Sequence, residues 1–224
     1  PATQLMRAVS QLPPTRNWQM TFYDGSSDRH AFSIGFAASP QGDFGVYARG
    51  YFFAAECLSR SLLERISFAD YEAYPVVFLF RHSLELSLKN VIYSCARLAW
   101  FKDLKGIPIG WNNSHNLEAL FAKSEAALRM LFPHDDSLCQ FLRRVGEVVK
   151  DFSALDSSSY AFRYPIDTKG ASPFSTDISI SLQTMLDTMT EVFDGLDAID
   201  FGLDSATAML ERDREELAEF LAAG

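Results

Sequence analysis

Four side chains that can carry a charge or a proton stand close together in the chain: Arg81, His82, Glu85 and Lys89. On a helix Arg81, Glu85 and Lys89 are successive i, i+4 neighbours and His82 lies three residues before Glu85, so all four reach one another. The surrounding residues are almost wholly apolar. A buried charge must be paired or it costs several kcal/mol, so this line is either an internal polar network or the floor of a pocket. His115 and Asn116 stand where a later helix would open, and unpaired N–H groups with the positive dipole end favour anions there. A histidine in that place can also simply cap or pack. Farther on, Asp156, Ser157 and Ser158 offer turns or polar contacts ahead of Phe162-Arg163-Tyr164-Pro165. A loop that spends two aromatics and an arginine is expected to fold back onto the body of the protein.

RNA cleavage needs only a proton shuttle and positive charge near the 2′-hydroxyl and phosphate. On that chemistry His82 and His115 are candidate general acid/base groups, and Arg81 and Arg163 candidate stabilisers of the transition state. Glu85, Lys89, Asn116, Tyr164 and Asp156 are candidate supporting or substrate-binding residues. No cofactor is expected, and a metal-dependent hydrolase ranks third because no two histidines stand at i, i+4.

Helices must position these groups. From Phe44 to Ile66, Tyr47, Tyr51, Ala54, Ala55, Leu58, Leu62 and Ile66 recur at three and four, which predicts one helix with that face inward. A second helix is expected to begin after Tyr74-Pro75 and run to Phe101, apolar nearly all round and so central in a bundle. Lys102 to Asn113 reads as a loop. Ser114 is the expected N-cap of a third helix that Pro133 stops, and Asp136 or Ser137 that of a fourth reaching Leu155. Asp156 to Thr176 reads as irregular. Ahead of all these, Trp18, Met20 and Phe22, then Phe32, Ile34 and Phe36, alternate about the turn residues Asp24-Gly25-Ser26-Ser27, which predicts a β-hairpin.

The last fifty residues carry the clearest period. Leu182, Met189, Leu196, Leu203, Leu210 and Leu217 fall every seventh position, with Met185, Val192, Ile199, Ala206, Asp213 and Phe220 between them. These are a and d positions of six heptads. Gly195 and Gly202 each cost a helix interior roughly 1 kcal/mol, so two helices joined at Phe201-Gly202 are the alternative. The register passes through Gly202 unshifted, which favours one helix of roughly 60 Å at 1.5 Å per residue. Such a helix outruns a compact bundle, so its distal part is expected to pack on a partner chain or on the N-terminal elements. Asp187, Glu191, Asp194, Asp197, Asp200 and Asp204 line its other side and read as a solvated acidic face.

The chain of 224 residues is 48% apolar and 13% aromatic, enough for a real core. Twenty basic against 29 acidic residues give a net charge of −9, so whole-molecule attraction to nucleic acid or an anionic membrane is excluded and RNA contact needs a local basic patch. Cys57, Cys95 and Cys139 lack metal or redox spacing and read as reduced core thiols. Pro1 to Gln11 lacks the pattern of a secretory signal and no apolar run spans a bilayer, so a cytoplasmic protein is expected, with no membrane partner.

Phe80-Arg81-His82-Ser83-Leu84-Glu85-Leu86-Ser87-Leu88-Lys89, Ser114-His115-Asn116-Leu117-Glu118-Ala119-Leu120 and Phe162-Arg163-Tyr164-Pro165 together resemble uncharacterised bacterial HEPN-type (higher eukaryotes and prokaryotes nucleotide-binding) proteins over residues 44–200. The resemblance implies a mainly α fold: an up-and-down HEPN-like helical bundle at 44–200, preceded by the hairpin segment 1–43 and followed by a C-terminal helical extension at 201–224. It also implies an RNA- or nucleotide-directed role, as a variant ribonuclease of a bacterial toxin or defence system, and a homodimer, here through the C-terminal helix. The alternative is a non-catalytic dimeric interaction module that binds a partner protein or a nucleotide. The family's ribonucleases carry an arginine followed four to six residues later by histidine on a late helix. Here only Arg129 and His134 have that spacing, and Pro133 between them breaks the helix the pair would need.

Overall fold

Five α-helices run through the residues described by the computed structural model, which are 44–107, 115–156, 161–164, 170, 172 and 178–222. They are α1 (Phe44–Leu63), α2 (Asp70–Phe101), α3 (Leu117–Leu131), α4 (Asp136–Leu155) and α5 (Leu182–Ala222). Among the described residues there is no strand, and the hairpin expected at 18–36 lies outside them. No helix in the described part is long and apolar enough to cross a membrane.

Each helix starts and stops for a local reason. α2 begins five residues before Pro75, earlier than the sequence suggests, because Glu72 turns back and accepts a hydrogen bond from the Ala69 N–H at 2.7 Å. That half of a capping box offsets the donor which Pro75 lacks. α2 ends where Asp103 takes a positive φ of 53°, with the Leu104 N–H bonded back to the Ala99 carbonyl, a Schellman closure. Asn116, not Ser114, caps α3 by accepting from the Ala119 N–H, and Asp135, not Asp136 or Ser137, caps α4 through the Leu138 N–H. Ser181 caps α5 through the Thr184 N–H.

The central helix is α2, which packs against α1, α3 and α5. Phe80, Leu84, Leu88, Ile92 and Leu98 on it are fully buried. α1 turns a different face inward from the one its tyrosines suggest: Ala48, Phe52, Ala55, Ser59 and Leu62 are buried, while Tyr47 and Ile66 are exposed. Small side chains at 48, 55 and 59 let the two backbones approach, and the tyrosines are left to the flank. Cys57 lies on the exposed side of α1, so of the three cysteines only Cys95 is fully in the core.

Helix directions follow from who meets whom. α1 and α2 are antiparallel, since Phe52 meets Phe80 and Gly45 lies beside Asn90. α3 runs parallel to α2: its start is at Glu85 through His115, and Phe132 just past its end meets Lys102. The expected strict up-and-down order is therefore interrupted here, since α3 starts beside the middle of α2 and runs the same way. α3 and α4 form an antiparallel pair through Arg129 and Cys139, and α4 and α5 another through Phe141 and Gly195.

α5 is one helix of 41 residues, unbroken at both glycines and across residue 200. Gly195 has a packing reason, because a Cβ there would overlap the Phe141 ring. Leu182, Met189, Val192, Leu196 and Leu203 of the heptad seam are buried in the bundle. Beyond Leu210 the seam emerges, with Leu217 and Phe220 exposed. Of the acidic residues on the other side, Asp187, Glu191, Asp194 and Asp204 are exposed, as expected of a solvated face, but several also bond to neighbouring helices. Asp197 pairs with Arg49, Asp200 accepts from Ser94, Asp204 pairs with Arg97 and Glu191 reaches Arg144, so the stripe fastens α5 to α1, α2 and α4.

Candidate functional site

The polar line of α2 points into the interior where the start of α3 and the end of α4 converge. Arg81 and Glu85 are each 1% exposed and Lys89 is 6% exposed, so these charges have left water and must satisfy one another. Glu85 is the anion at the centre. Its Oε1 accepts from Lys89 Nζ at 2.7 Å and lies 2.9 Å from His115 Nδ1, while Oε2 is 3.5 Å from an Arg81 nitrogen. Burial alone would push the Glu85 carboxyl upward, but Lys89 and His115 together outweigh it and hold the pKa below the usual carboxylate range.

Arg81 makes its better bonds to backbone. Its Nη2 donates to the His115 carbonyl at 3.0 Å and its Nε to the Asp156 carbonyl at 3.3 Å, which ties the entrance of α3 to the exit of α4. Asp156 is itself buried, and its carboxylate accepts from the Ala161 N–H at 3.0 Å. That bond holds Ala161 close to the end of α4. Phe162 then packs edge-on to Tyr74, and the Arg163 guanidinium lies 5.6 Å from the Phe78 ring and 5.7 Å from that of Tyr164.

His82 faces another way. It stacks on Phe78 at 5.7 Å and meets the edge of Tyr51 at 4.5 Å, which places it between two aromatic rings. Burial depresses its pKa; Glu85 pulls it back up, and Lys89, His115 and Arg163 push it further down. The balance favours neutral imidazole. His115, by contrast, keeps 63% of its side chain exposed while Glu85 holds its Nδ1. A carboxylate behind Nδ1 selects the tautomer with that nitrogen protonated and leaves Nε2 as an acceptor.

Glu85, Lys89, His115 and Arg163 thus each lie within electrostatic reach of His82. Arg81 and Asp156 build the frame, and Asn116 spends its side-chain oxygen on the α3 cap. His134 falls beyond the end of α3, off the helix that carries Arg129, so the two do not share a helical face. Sequence reasoning missed the aromatic frame of His82. It also missed a second polar line on α2, namely Ser87, Asn90, Ser94 and Arg97, whose three, four, three spacing in an apolar helix was the available signal. None of the protein-family models, curated proteins and solved structures compared with this chain matches it.

Proposed function

We propose that this chain is a HEPN-like protein with an RNA- or nucleotide-directed role, acting as a variant ribonuclease of a bacterial toxin or defence system. The observation that supports this reading best is the Glu85–His115 pair, a buried carboxylate 2.9 Å behind the Nδ1 of a solvent-facing histidine. In the reading, His115 Nε2 takes or returns the proton of a ribose 2′-hydroxyl, and Glu85 keeps the ring in its tautomer. Arg163 and the positive end of α3 meet the phosphate, which supplies the local positive charge that a molecule of net charge −9 otherwise lacks. Arg81 is sealed at 1% exposure and acts as a positioning residue, holding the backbone at 115 and 156. His82 lines the same region as a neutral group.

The test is degradation of a defined RNA by the wild type, His115→Ala, His82→Ala and Arg163→Ala proteins. Loss of a general acid/base is expected to slow cleavage by about 10²–10⁴-fold in His115→Ala. Equal activity in wild type and His115→Ala removes that histidine from the mechanism, and no activity in any protein favours the second reading.

The second reading is a non-catalytic dimeric interaction module that binds a partner protein or a nucleotide. It is favoured by the exposure of Leu217, Phe220 and Leu221 where the heptad seam leaves the bundle. In it a second copy covers these residues and forms a homodimer through α5.

A further inference from the structure

A separate cleft lies between α1, α2 and α5, on the other polar line of α2. Its volume is about 440 Å³, and Val46, Ala48, Phe193 and Leu196 give it apolar walls. Its charged groups are matched except at one place. At the rim Arg49 pairs with Asp197 at 2.6 Å, and Arg97 with Asp204 at 3.0 Å and Glu211 at 3.7 Å, so both cations are already committed to carboxylates. Asp200 lies between these pairs and receives only neutral donors, the Ser94 hydroxyl at 2.7 Å and the Asn90 amide. Among the described residues no cation is paired with it. Burial raises the Asp200 pKa, and the neighbouring Asp204 and Asp197 raise it further, which is what a pocket short of positive charge does to a carboxyl group.

A second, independent feature points into the same space. Ser87 is 7% exposed and lines the cleft, yet its hydroxyl has no hydrogen-bond partner among the described residues. Every fully enclosed side-chain nitrogen and oxygen in the described part does have one, so the Ser87 hydroxyl is reachable from the cavity. An acceptor carboxylate with spare lone pairs and a free hydroxyl, facing one cavity, are the two polar contacts that orient a ligand in an otherwise apolar site. Gly45 helps keep that space, since a Cβ there would stand 3.0 Å from the Asn90 amide nitrogen.

We infer that this cleft binds a small organic amine with an apolar body, its ammonium group donating to Asp200, its hydrocarbon lying against Phe193 and Leu196, and a hydroxyl at its far end meeting Ser87, which lies two turns of α2, roughly 10 Å, before the Ser94 that holds Asp200. A metal ion is the poorer occupant, because the described residues hold no group of three or more metal-ligating side chains and the cavity is far larger than an ion.

Tyramine hydrochloride, whose phenol hydroxyl lies at the far end from its ammonium, is the probe, with tyrosol (4-(2-hydroxyethyl)phenol) as its uncharged match in shape, each titrated calorimetrically into the full chain at neutral pH. The amine is expected to bind saturably at one site and the alcohol to give no saturable heat. A charge-assisted hydrogen bond lost in Asp200→Asn is expected to weaken the amine by about ten-fold or more, and Ser87→Ala by several-fold. His115→Ala, in the other site, is expected to leave it unchanged. Absence of saturable binding by the amine, equal binding of amine and alcohol, or full affinity in Asp200→Asn overturns the proposal. Should circular dichroism show Asp200→Asn unfolded, Ser87→Ala decides: that side chain makes no bond whose loss would unfold the bundle, and undiminished binding there overturns the assignment.

Discussion

Replacing Glu85 by glutamine keeps the size of the side chain and removes the one charge on which Arg81, Lys89 and the His115 ring converge. Lys89 is then left with its ammonium 2.7 Å from a neutral amide, in a place where its side chain is 8% exposed. Removing one partner of a buried ion pair costs about 3–5 kcal/mol, because the other charge stays desolvated without compensation. Arg81 is hurt less, since it keeps the carbonyls of His115 and Asp156. The His115 contact adds little to stability, as that ring is 63% exposed and an ion pair of this kind contributes about 0–1 kcal/mol after solvent screening. For a domain of this size each kcal/mol moves the melting temperature by about 2–4 °C, so Glu85→Gln is expected to lower it by about 6–20 °C. Urea unfolding followed by circular dichroism, on Glu85→Gln, Lys89→Met, His115→Ala and the two doubles, measures the couplings directly. The Glu85–Lys89 coupling is expected to exceed about 2 kcal/mol and the Glu85–His115 coupling to stay under about 1 kcal/mol. A Glu85→Gln protein within about 1 kcal/mol of wild type, or a larger coupling to His115 than to Lys89, would refute the reasoning.

Because burial holds His82 neutral in the folded state, the unfolded chain takes up that proton first as pH falls. The stability His82 contributes is whole above its ordinary value of 6.5 and is lost as pH drops below it; His82→Phe is expected to flatten that part of a stability–pH curve, while the loss due to Glu85 starts only below its ordinary 4.5. Gly195→Ala is expected to destabilise by about 1–3 kcal/mol through the Phe141 ring, with Phe141→Leu relieving it, whereas Gly202→Ala, with nothing within 4 Å, is expected to stabilise by about 0.5–1 kcal/mol; equal effects at both glycines would discount the packing argument. If a second copy covers the end of α5, Leu217→Ser with Phe220→Ser is expected to shift the chain from dimer to monomer in sedimentation without lowering helicity, and an unchanged mass would dismiss that interface.

The helices were legible where a period or a breaker dominates. The central place of α2 follows from its lack of a polar face, and the continuity of α5 from a heptad that crosses Gly202 in register. The inward face of α1 was not, because Tyr47 and Tyr51 satisfy the same three-four spacing as Ala48, Phe52 and Ala55, and nothing in the chain says that close approach to α2 selects the small residues. The start of α2 was obscured for a different reason: Pro75 is the stronger local signal, and its cost is offset by Glu72 reaching a backbone N–H that composition does not reveal. At the site, the Arg81–Glu85–Lys89 line was readable from i, i+4 spacing alone. That Glu85 would also hold His115, 30 positions away, depends on α3 running parallel to α2, and no motif in the sequence announces that direction.

Parallel packing of α2 and α3 is also what makes the site open on one side. An antiparallel α3 would bring the end of its C-terminal turn, with unpaired carbonyls, to Glu85, and two negative groups would face each other. Running parallel, α3 brings its N-terminal end, and the residue just before the Asn116 cap is His115. Arg81 then fixes that residue by its carbonyl, so the side chain of His115 is free to turn outward while its Nδ1 stays on Glu85. The same guanidinium holds Asp156, whose carboxylate accepts from the N–H of Ala161, two residues before Arg163. One buried arginine therefore positions both outward-facing groups, and its loss should displace the two together. Arg81→Met is accordingly expected to alter the environments of His115 and Arg163 at once, seen as joint shifts of their NMR side-chain resonances, while a shift of only one would mean that the two segments are held independently.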